Sequence, residues 1–340
     1  MSHHSSTTRR HGKSIIIVLL ACFLLAAGLM TVQYLRGKWQ SAPRVPAAET
    51  DDPDVLRYDG GRYIKNSAIE TVLLMGLDKF ESQTGGDIGG VNGQQADMLL
   101  LLVLDRNAGT CTPLHINRDT MCTIYQLDAF GDPFMPLNGQ ICLAHAYGSG
   151  GRDSCRNQVR AVSELLYDMP INHYASVTMD AVGIINNLVG GVTVTVLDDL
   201  SALDSALVQG ETVTLQGDQA LTYVRARMGL ADPTNLNRMK RQQQYLTALQ
   251  QKFTQELAEN DDLSRQIVTA VSDDMVSDFT VNSLNSFVDM ATTYTFTPIR
   301  EIAGEAVYSE DRSPEFYADE DALYQMVVDI FYLPLDGETN

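Results

Sequence analysis

The chain has 340 residues, 43 acidic and 24 basic side chains and a formal net charge of −19. With 44% hydrophobic residues, it can bury the core of one large or two small domains, which excludes a disordered, collagen-like or small disulfide-stapled protein. Because five basic residues and no acidic ones precede residue 41, the rest of the chain has a formal net charge of −24. So acidic a surface repels phosphate, which excludes nucleic acid as a general partner, and any anionic ligand needs a local basic cluster.

The first predicted element is a transmembrane helix at residues 15–35. Its 21 residues carry no charge, and at 1.5 Å per residue they span about 30 Å, one bilayer core. Three basic residues precede it and two follow it, which favours a cytoplasmic tail at residues 1–14 and an extracytoplasmic remainder. A cleaved signal peptide is the alternative, but the run is longer than a usual signal h-region and lacks a convincing A-x-A site. We therefore expect an uncleaved single-pass anchor in the cell membrane.

Residues 36–67 contain three prolines and an acidic patch, which predicts a juxtamembrane stalk. From 68 to 335, strand-like and helix-like segments alternate. Apolar or alternating runs predict strands at 69–77, 98–105, 110–117, 173–179, 192–197 and 305–309, and helical spacing predicts helices at 154–167, 181–189, 217–227 and 235–253. Ser154 and Asp180 are the candidate helix caps. The interleaving indicates an α/β fold, an α-β-α layered domain with a central mixed sheet.

Four of the five cysteines lie in this domain: Cys111, Cys122, Cys142 and Cys155. An even number outside the cytoplasm permits two disulfides, and free buried thiols are the alternative. Cys111 and Cys122 bracket a predicted strand that holds them too far apart to pair, so a disulfide would involve Cys142 or Cys155. No C-x-x-C motif is present, so we do not expect a zinc site.

Arginines at the ends of predicted elements are the candidate binding residues. They are Arg118, after a strand; Arg225 and Arg227, at the end of a helix; and Arg238 and Arg241, one turn apart on the long helix. At about 100° per residue, Gln242 and Tyr245 share a helix face with the last two. Arginine binds phosphate bidentately and stays charged, so the pattern favours an anion clamp. The alternative is a set of surface salt bridges with the many carboxylates.

Two aspartates at strand ends are candidate metal ligands. Asp78 follows the first apolar strand, and Asp97 lies just before the second. Beside phosphate-binding arginines they could hold Mg²⁺, which takes a few carboxylates plus phosphate oxygens, although each alone also fits an ordinary strand end. The isolated histidines His115, His145 and His173 are expected to be structural.

Seven motifs, in order over residues 68–255, resemble those of the LytR–CpsA–Psr family, whose members attach glycopolymers to the bacterial cell wall. The motifs are LLMGLD at 73–78, ADMLLLLVLD at 96–105, INRDT at 116–120, NGQICLAHAYGSGG at 138–151, LVGGVTVTV at 188–196, LQGDQALTYVRAR at 215–227 and NRMKRQQQYLTAL at 237–249. Each motif alone is weak, whereas seven in sequence are specific. The resemblance makes residues 68–335 a LytR–CpsA–Psr-like catalytic domain.

The resemblance implies a Mg²⁺-assisted phosphotransferase. Such an enzyme moves a glycopolymer (teichoic acid, capsule or a related polysaccharide) from a polyprenyl-pyrophosphate carrier to a peptidoglycan sugar hydroxyl. The matching residues expected to hold the pyrophosphate are Arg118, Arg225, Arg227 and Arg238, assisted by Gln242 and supported by Arg241. Asp78 and Asp97 would bind the metal and, with Arg118, form the catalytic set, and either aspartate is a candidate base. Helices 181–189 and 159–166 are candidates to line a trench for the polyprenyl tail.

Three departures from the family pattern leave the polymer and the acceptor open. Asn117 stands where the family usually has proline, the segment between Asp78 and Asp97 is long and glycine-rich, and residues 228–237 replace an acidic, tyrosine-containing connector. Two other functions remain as alternatives. One is a non-catalytic regulatory or wall-associated protein that binds lipid phosphate, and the other is a pyrophosphatase that hydrolyses the same saccharide carrier.

Overall fold

The computed structural model describes residues 55–77, 94–128, 130–226, 235–260, 263–279, 294–309 and 313–335. The predicted tail and transmembrane segment, Asp78 and Arg227 lie outside these ranges. Within them, no helix combines the length and the apolar character needed to cross a bilayer.

The described residues form sixteen strands and seven α-helices. The strands are β1 (Val55–Tyr58), β2 (Gly61–Lys65), β3 (Ile69–Leu77), β4 (Ala96–Asp105), β5 (Thr110–Ile116), β6 (Met121–Leu127), β7 (Pro133–Gln140), β8 (His173–Thr178), β9 (Val192–Thr195), β10 (Thr212–Leu215), β11 (Met275–Ser277), β12 (Thr295–Phe296), β13 (Arg300–Glu301), β14 (Gly304–Tyr308), β15 (Pro314–Ala318) and β16 (Tyr332–Pro334). The helices are α1 (Leu143–Ala146), α2 (Gly151–Leu165), α3 (Asp180–Leu188), α4 (Asp218–Arg225), α5 (Asn235–Glu259), α6 (Leu263–Val271) and α7 (Glu320–Phe331).

A mixed sheet forms the centre of the domain. Its strand order is β11-β8-β3-β4-β5-β12, with β13 also paired to β5. Strand β3 runs antiparallel to β4 and parallel to β8, and β4 runs antiparallel to β5. The β3 and β4 runs are buried along almost their whole length, because both faces of the sheet are covered.

Alternate residues of these strands face two separate cores. Leu74 and Leu100 pack in one core with residues of helices α3 to α6. Leu73 and Leu99 pack in the other, with residues of α2 and α7. Since side chains alternate across a strand, the two cores lie on opposite faces. The α-β-α arrangement with a central mixed sheet is therefore confirmed.

The predicted stalk is wrong in its last part. Residues 55–65 form the antiparallel pair β1–β2, and β16 pairs with β2, so this hairpin belongs to the domain. Its turn uses Asp59 and Gly60, both at positive φ, which is the Asp-Gly geometry that favours a two-residue hairpin turn.

Helix α2 begins earlier than predicted. Its N-cap is Gly150, and Ser154 lies inside the first turns, where its hydroxyl accepts a hydrogen bond from the Gly150 backbone N–H at 2.9 Å. The side chain thus supports the helix start from within, so the prediction of Ser154 as the cap is wrong. Helix α3 includes Asp180 and is preceded by Met179 as its N-cap, one residue from the prediction.

All four cysteines of the domain are free thiols. Of the two alternatives, disulfides and free thiols, the structure has the second. Three are buried and Cys122 is half-buried. Burial raises the pKa of the Cys122 thiol to about 12 and that of the Cys155 thiol to about 11, so both thiols stay protonated and unreactive near neutral pH.

Candidate functional site

The candidate site lies at one edge of the central sheet, where three strand ends meet. Leu77 at the end of β3 pairs with Ala96 at the start of β4. Leu99 of β4 pairs with Ile116, the last residue of β5. This register brings Asp97 and the Asn117–Arg118 turn together, and it is the reason that residues distant in sequence share one site.

Arg118 is buried, with 6% of its surface exposed, and its guanidinium contacts three side chains. It forms an ion pair with the Asp97 carboxylate, and its Nε lies 3.2 Å from Asp119 Oδ1. It also donates a hydrogen bond to Gln95 Oε1. A planar donor fork held by three oxygens has a fixed orientation, which suits it to bind an anion from one side.

The turn that carries Arg118 is held from both ends. Asn117 Oδ1 accepts hydrogen bonds from the Asp119 N–H at 3.0 Å and from Asn235 Nδ2 at 2.7 Å. The Cys142 N–H donates to the Arg118 carbonyl at 3.1 Å, and the Cys142 carbonyl accepts from the Ala96 N–H at 3.2 Å. The asparagine that departs from the family pattern therefore links the arginine turn to the start of helix α5.

Helix α5 supplies a second buried arginine to the same carboxylate. Arg238 is 2% exposed, and its Nη1 lies 3.8 Å from Asp97 Oδ1. Its Nη2 also lies 3.5 Å from the Asp97 carbonyl oxygen. Two guanidinium groups thus converge on one carboxylate. Because Arg118, Arg238 and Asp97 are all buried, these contacts are not surface salt bridges, and the anion clamp stays a prediction.

Arg241 and Gln242 share the buried face of α5 with Arg238, as the helical spacing predicts, but their partners differ. Arg241 donates to the carbonyls of Tyr223, at 2.9 Å, and Ala226, and forms an ion pair with Asp198. Gln242 Nε2 donates to the Val224 carbonyl at 3.2 Å. These contacts fix the end of helix α4 to α5, which is consistent with the supporting role expected for Arg241.

The remaining predicted residues are placed only in part. Arg225 is the last residue of α4 and has an exposed side chain. Arg227 and Asp78 lie outside the described residues.

His115 lies behind the cluster on β5 and is 1% exposed. Burial, reinforced by the positive charge of Arg238, lowers the pKa of His115 to about 4. Gln243 Nε2 lies 3.4 Å from its Nδ1. A neutral imidazole enclosed in this way is structural, as the sequence predicts.

A narrow apolar crevice lies beside the arginine cluster, between the sheet and helices α3 to α5. It is lined by Met98, Met179, Val182, Val224, Gln242, Tyr245 and Leu246. Its volume is about 20 Å³, so it has room for little more than one water molecule. Two helices were candidates to line a trench for the polyprenyl tail. Helix 181–189 contributes Val182 to this crevice, whereas Val162 and Leu166 of helix 159–166 belong to the core on the opposite face of the sheet.

The donor set at the cluster is compatible with Mg²⁺ to the extent that the structure describes it. Asp97 offers a buried carboxylate, and Mg²⁺ binds through one or two carboxylates together with substrate phosphates. Within the described ranges, no group of three His, Cys, Asp or Glu side chains could form a metal site from protein ligands alone. A Mg²⁺ ion held by Asp97 would complete its shell with ligands such as substrate phosphate oxygens and water.

Three residues of the site carry no chemical signature in the sequence and were not predicted. Gln95 orients Arg118, Asn117 accepts two hydrogen bonds, and Asn235 connects the turn to α5. The only available signal was the position of Asn117, where the chain departs from the family pattern.

Together, the three-layer fold and the buried arginine–aspartate cluster at the sheet edge define an α-β-α domain with a candidate anion-binding site. A model of the LytR_cpsA_psr family matches residues 44–317. The chain therefore belongs to the LytR–CpsA–Psr family.

Named relatives and solved structures agree with this membership. The chain is 30% identical over 224 residues to the polyisoprenyl-teichoic acid–peptidoglycan teichoic acid transferase TagU of Enterococcus faecalis, a match that covers 65% of each chain. It is 30% identical to TagT of Bacillus subtilis over 53% of this chain and 51% of that one. The chain thus spans between half and two thirds of the length of these curated relatives.

Two solved structures have the same fold. A Streptococcus agalactiae protein is 21% identical with a TM-score of 0.61, covering 78% of this chain and 87% of that one. A structure of TagT bound to LI-WTA is 21% identical with a TM-score of 0.57, covering 78% and 90%.

Proposed function

We propose that this protein is a membrane-anchored phosphotransferase that moves a glycopolymer from a polyprenyl-pyrophosphate carrier to a peptidoglycan hydroxyl. Residues 15–35 would anchor it, with the domain on the extracytoplasmic side. The names of its relatives, teichoic acid transferases that act with polyisoprenyl carriers and peptidoglycan, support this reaction class. Teichoic acid is accordingly the first polymer to test.

The observation that carries the proposal is the convergence of Arg118 and Arg238 on the buried Asp97 carboxylate. In a body with a large negative charge, this pair places two positive charges at one buried position, where Asp97 and, beside Arg118, Asp119 balance them. An entering pyrophosphate can bind both guanidinium groups, and a cation held by Asp97 would then pair with the carboxylate. Under that exchange every buried charge keeps a partner, which is the condition under which buried charges are tolerated.

The reaction then requires one bond to form and one to break. The acceptor hydroxyl oxygen attacks the phosphorus attached to the glycopolymer, and the bond from that phosphorus to the bridging oxygen breaks. The products are a phosphodiester between polymer and peptidoglycan sugar and a released polyprenyl phosphate, and the hydroxyl proton leaves. Positive groups fixed around the phosphoryl oxygens stabilise the transition state, because the charge developing there meets donors that need no reorganisation.

Asp97 and Asp78, together with the substrate phosphates, would hold Mg²⁺. The ion would supply further positive charge to the phosphoryl oxygens. Asp97 is already ion-paired with two guanidinium groups. This arrangement suits orienting the arginines and holding a cation better than taking up a proton. Asp78 is therefore the stronger candidate for the base.

The crevice lined by Val182, Tyr245 and Leu246 is the proposed entrance for the polyprenyl tail. It lies next to Gln242, one residue from Arg241 on the helix that also carries Arg238. Its volume is too small for a prenyl chain, so helices α3 and α5 must separate for the tail to enter.

The test is incubation of the full chain with a saccharide on a polyprenyl pyrophosphate, Mg²⁺ and peptidoglycan fragments. A fragment that gains the saccharide through a phosphodiester supports transfer. Release of the free phosphorylated saccharide would instead identify a pyrophosphatase. Binding of the donor with neither product would identify a non-catalytic lipid-phosphate-binding protein.

A further inference from the structure

We propose that the tip of the β6–β7 hairpin is a second membrane contact, which inserts apolar side chains into the interface of a lipid bilayer. The side chains of the tip are Phe130, Phe134 and Met135. The proposal rests on the proposed function only in that the chain is held near a membrane. It assigns an interaction surface separate from the arginine cluster.

The exposure of these side chains is the first observation. Phe130 is 89% exposed, Phe134 69% and Met135 43%. All three lie outside both core clusters, although aromatic side chains normally contribute a large part of a core. The three lie within six residues of one another around the turn, with the consecutive Phe134 and Met135 on opposite sides of the hairpin. Several exposed apolar residues at one tip, unlike a single one, mark a contact with a partner or a membrane.

The shape of the hairpin favours a bilayer over a protein strand as the partner. Pro133 and Pro136 lie on β7 beside the apolar side chains, and neither can donate a backbone hydrogen bond to an added strand. The Asp128 side chain closes the turn by accepting from the N–H groups of Phe130 at 2.8 Å and Asp132 at 3.0 Å. These hydrogen bonds hold the turn in a shape that leaves Phe130 exposed.

Helix α2 places arginines beside the same hairpin. Arg152, Arg156 and Arg160 are spaced four residues apart and so lie along one side of the helix. The Arg160 guanidinium lies 5.9 Å from the centre of the Tyr125 ring on β6, and Asn157 Nδ2 donates to the Tyr125 carbonyl at 2.7 Å. Arg156 pairs with Asp153, whose carboxylate lies beside Gly131 of the turn. The flank therefore carries charges of both signs around the exposed aromatic residues, with arginines available to lipid phosphates.

A second contact has a clear physical purpose here. Residues 36–54 separate the apolar segment from β1, and a chain of that length reaches roughly 60 Å when extended. One anchor at residues 15–35 would hold the domain near the bilayer without setting its orientation. The hairpin starts directly after the Arg118 turn and returns to Cys142, whose N–H binds the Arg118 carbonyl, so contact at the tip orients the site relative to the lipid surface.

The distance along the hairpin supports this purpose. Strands β6 and β7 have seven and eight residues, so the tip stands roughly 20 Å from the Arg118 turn at about 3.3 Å per residue. Contact at the tip therefore limits the distance between the arginine cluster and the bilayer to roughly 20 Å.

The experiment uses single-tryptophan reporters in the full chain. Trp39 is the only tryptophan, so Trp39→Phe provides a silent background for Phe134→Trp. The matched control is Leu203→Trp, because Leu203 is 55% exposed in a loop whose neighbours Leu200 and Leu207 pack in the opposite core. Each variant is placed in nanodiscs of phosphatidylcholine and phosphatidylglycerol, with or without bromine on the upper acyl carbons.

We expect brominated lipid to reduce the fluorescence of the residue 134 reporter by about half or more and to leave the residue 203 reporter unchanged. Equal fluorescence changes at residues 134 and 203 would overturn the proposal. A third reporter, Leu25→Trp, measures by the same quenching whether residues 15–35 lie in the bilayer. Failure of the anchor and failure of the tip contact are therefore distinguishable.

A functional readout follows from the same surface. Phe130→Ser with Phe134→Ser should slow transfer from a bilayer-embedded donor about tenfold, from the loss of apolar burial, and should leave transfer from a water-soluble short-chain donor unchanged. Leu203→Ser is the control. An equal loss on both donors would show that the hairpin acts through the fold and not through the membrane.

Discussion

Replacing Arg118 by alanine tests the buried cluster most sharply. The substitution removes the group that pairs with Asp97 and contacts Asp119 and Gln95. Breaking a buried pair by removing one partner costs about 3–5 kcal/mol. Because Arg238 Nη1 remains 3.8 Å from Asp97, we expect the lower end, about 3 kcal/mol, which leaves a typical domain of about 5–15 kcal/mol folded.

The loss of activity should exceed what this loss of stability explains. One fixed donor to a developing charge contributes about 2.7–4 kcal/mol, so turnover should fall about 10²–10³-fold. The second variant, Asp97→Asn in the Arg118→Ala background, removes the carboxylate that the first change leaves poorly paired. We expect it to recover stability, with a coupling of about 1–3 kcal/mol, and to recover no activity.

Stability is measured by urea unfolding followed by circular dichroism, and turnover by product yield in mass spectrometry. Both are measured for Arg118→Ala, Asp97→Asn and the double variant. Wild-type turnover in Arg118→Ala would refute the assignment of this residue to the phosphate. Strictly additive losses of stability would refute the pairing with Asp97.

Three further predictions concern groups around the cluster. Arg241→Met leaves the carbonyls of Tyr223 and Ala226 without their donor, and it should lower the free energy of unfolding in urea by about 2–4 kcal/mol. The control is Lys252→Met, which breaks a half-exposed ion pair and should lower it by at most about 0.5 kcal/mol. The pKa of His115 is lowered to about 4 in the folded chain, so the unfolded chain binds more protons below pH 6.5. The free energy of unfolding should therefore fall by up to about 3 kcal/mol as the pH drops from about 6.5 to about 4. His115→Asn should flatten this part of the stability profile, and an unchanged slope would contradict the burial argument. Asn117→Ala removes two hydrogen bonds and should lower both the free energy of unfolding, by about 1–3 kcal/mol, and turnover. Turnover at the wild-type level would show that the turn holds Arg118 without the Asn117 side chain.

The central strands could be predicted almost to the residue because burial on both faces leaves a continuous apolar run in the sequence. Strand β3 has the predicted bounds, and β4 begins two residues before the predicted start. The hairpin β6–β7 was not predicted. Its second strand contains two prolines and is largely exposed, so it has neither the alternation nor the apolar content by which a strand is recognised.

The site shows a similar division. Helical spacing correctly placed Arg238 and Arg241 on one buried face, yet it could not distinguish their roles. Arg238 meets Asp97 from the sheet, and Arg241 meets the end of helix α4. What separates them is the position of two other elements in three dimensions, which the period of one helix does not encode. The family resemblance supplied the expected roles, and the packing supplies the reason that they differ.

The most direct test of the proposed reaction is the mass of the peptidoglycan product. Full chain in phospholipid vesicles is incubated with Mg²⁺, a teichoic acid precursor on polyprenyl pyrophosphate and peptidoglycan fragments, and the fragments are then analysed by mass spectrometry. We predict a fragment heavier by the polymer plus one phosphodiester, formed by the wild-type chain and not by Arg118→Ala. The same yield from both chains, or a polymer released with its phosphate and joined to nothing, would contradict the account.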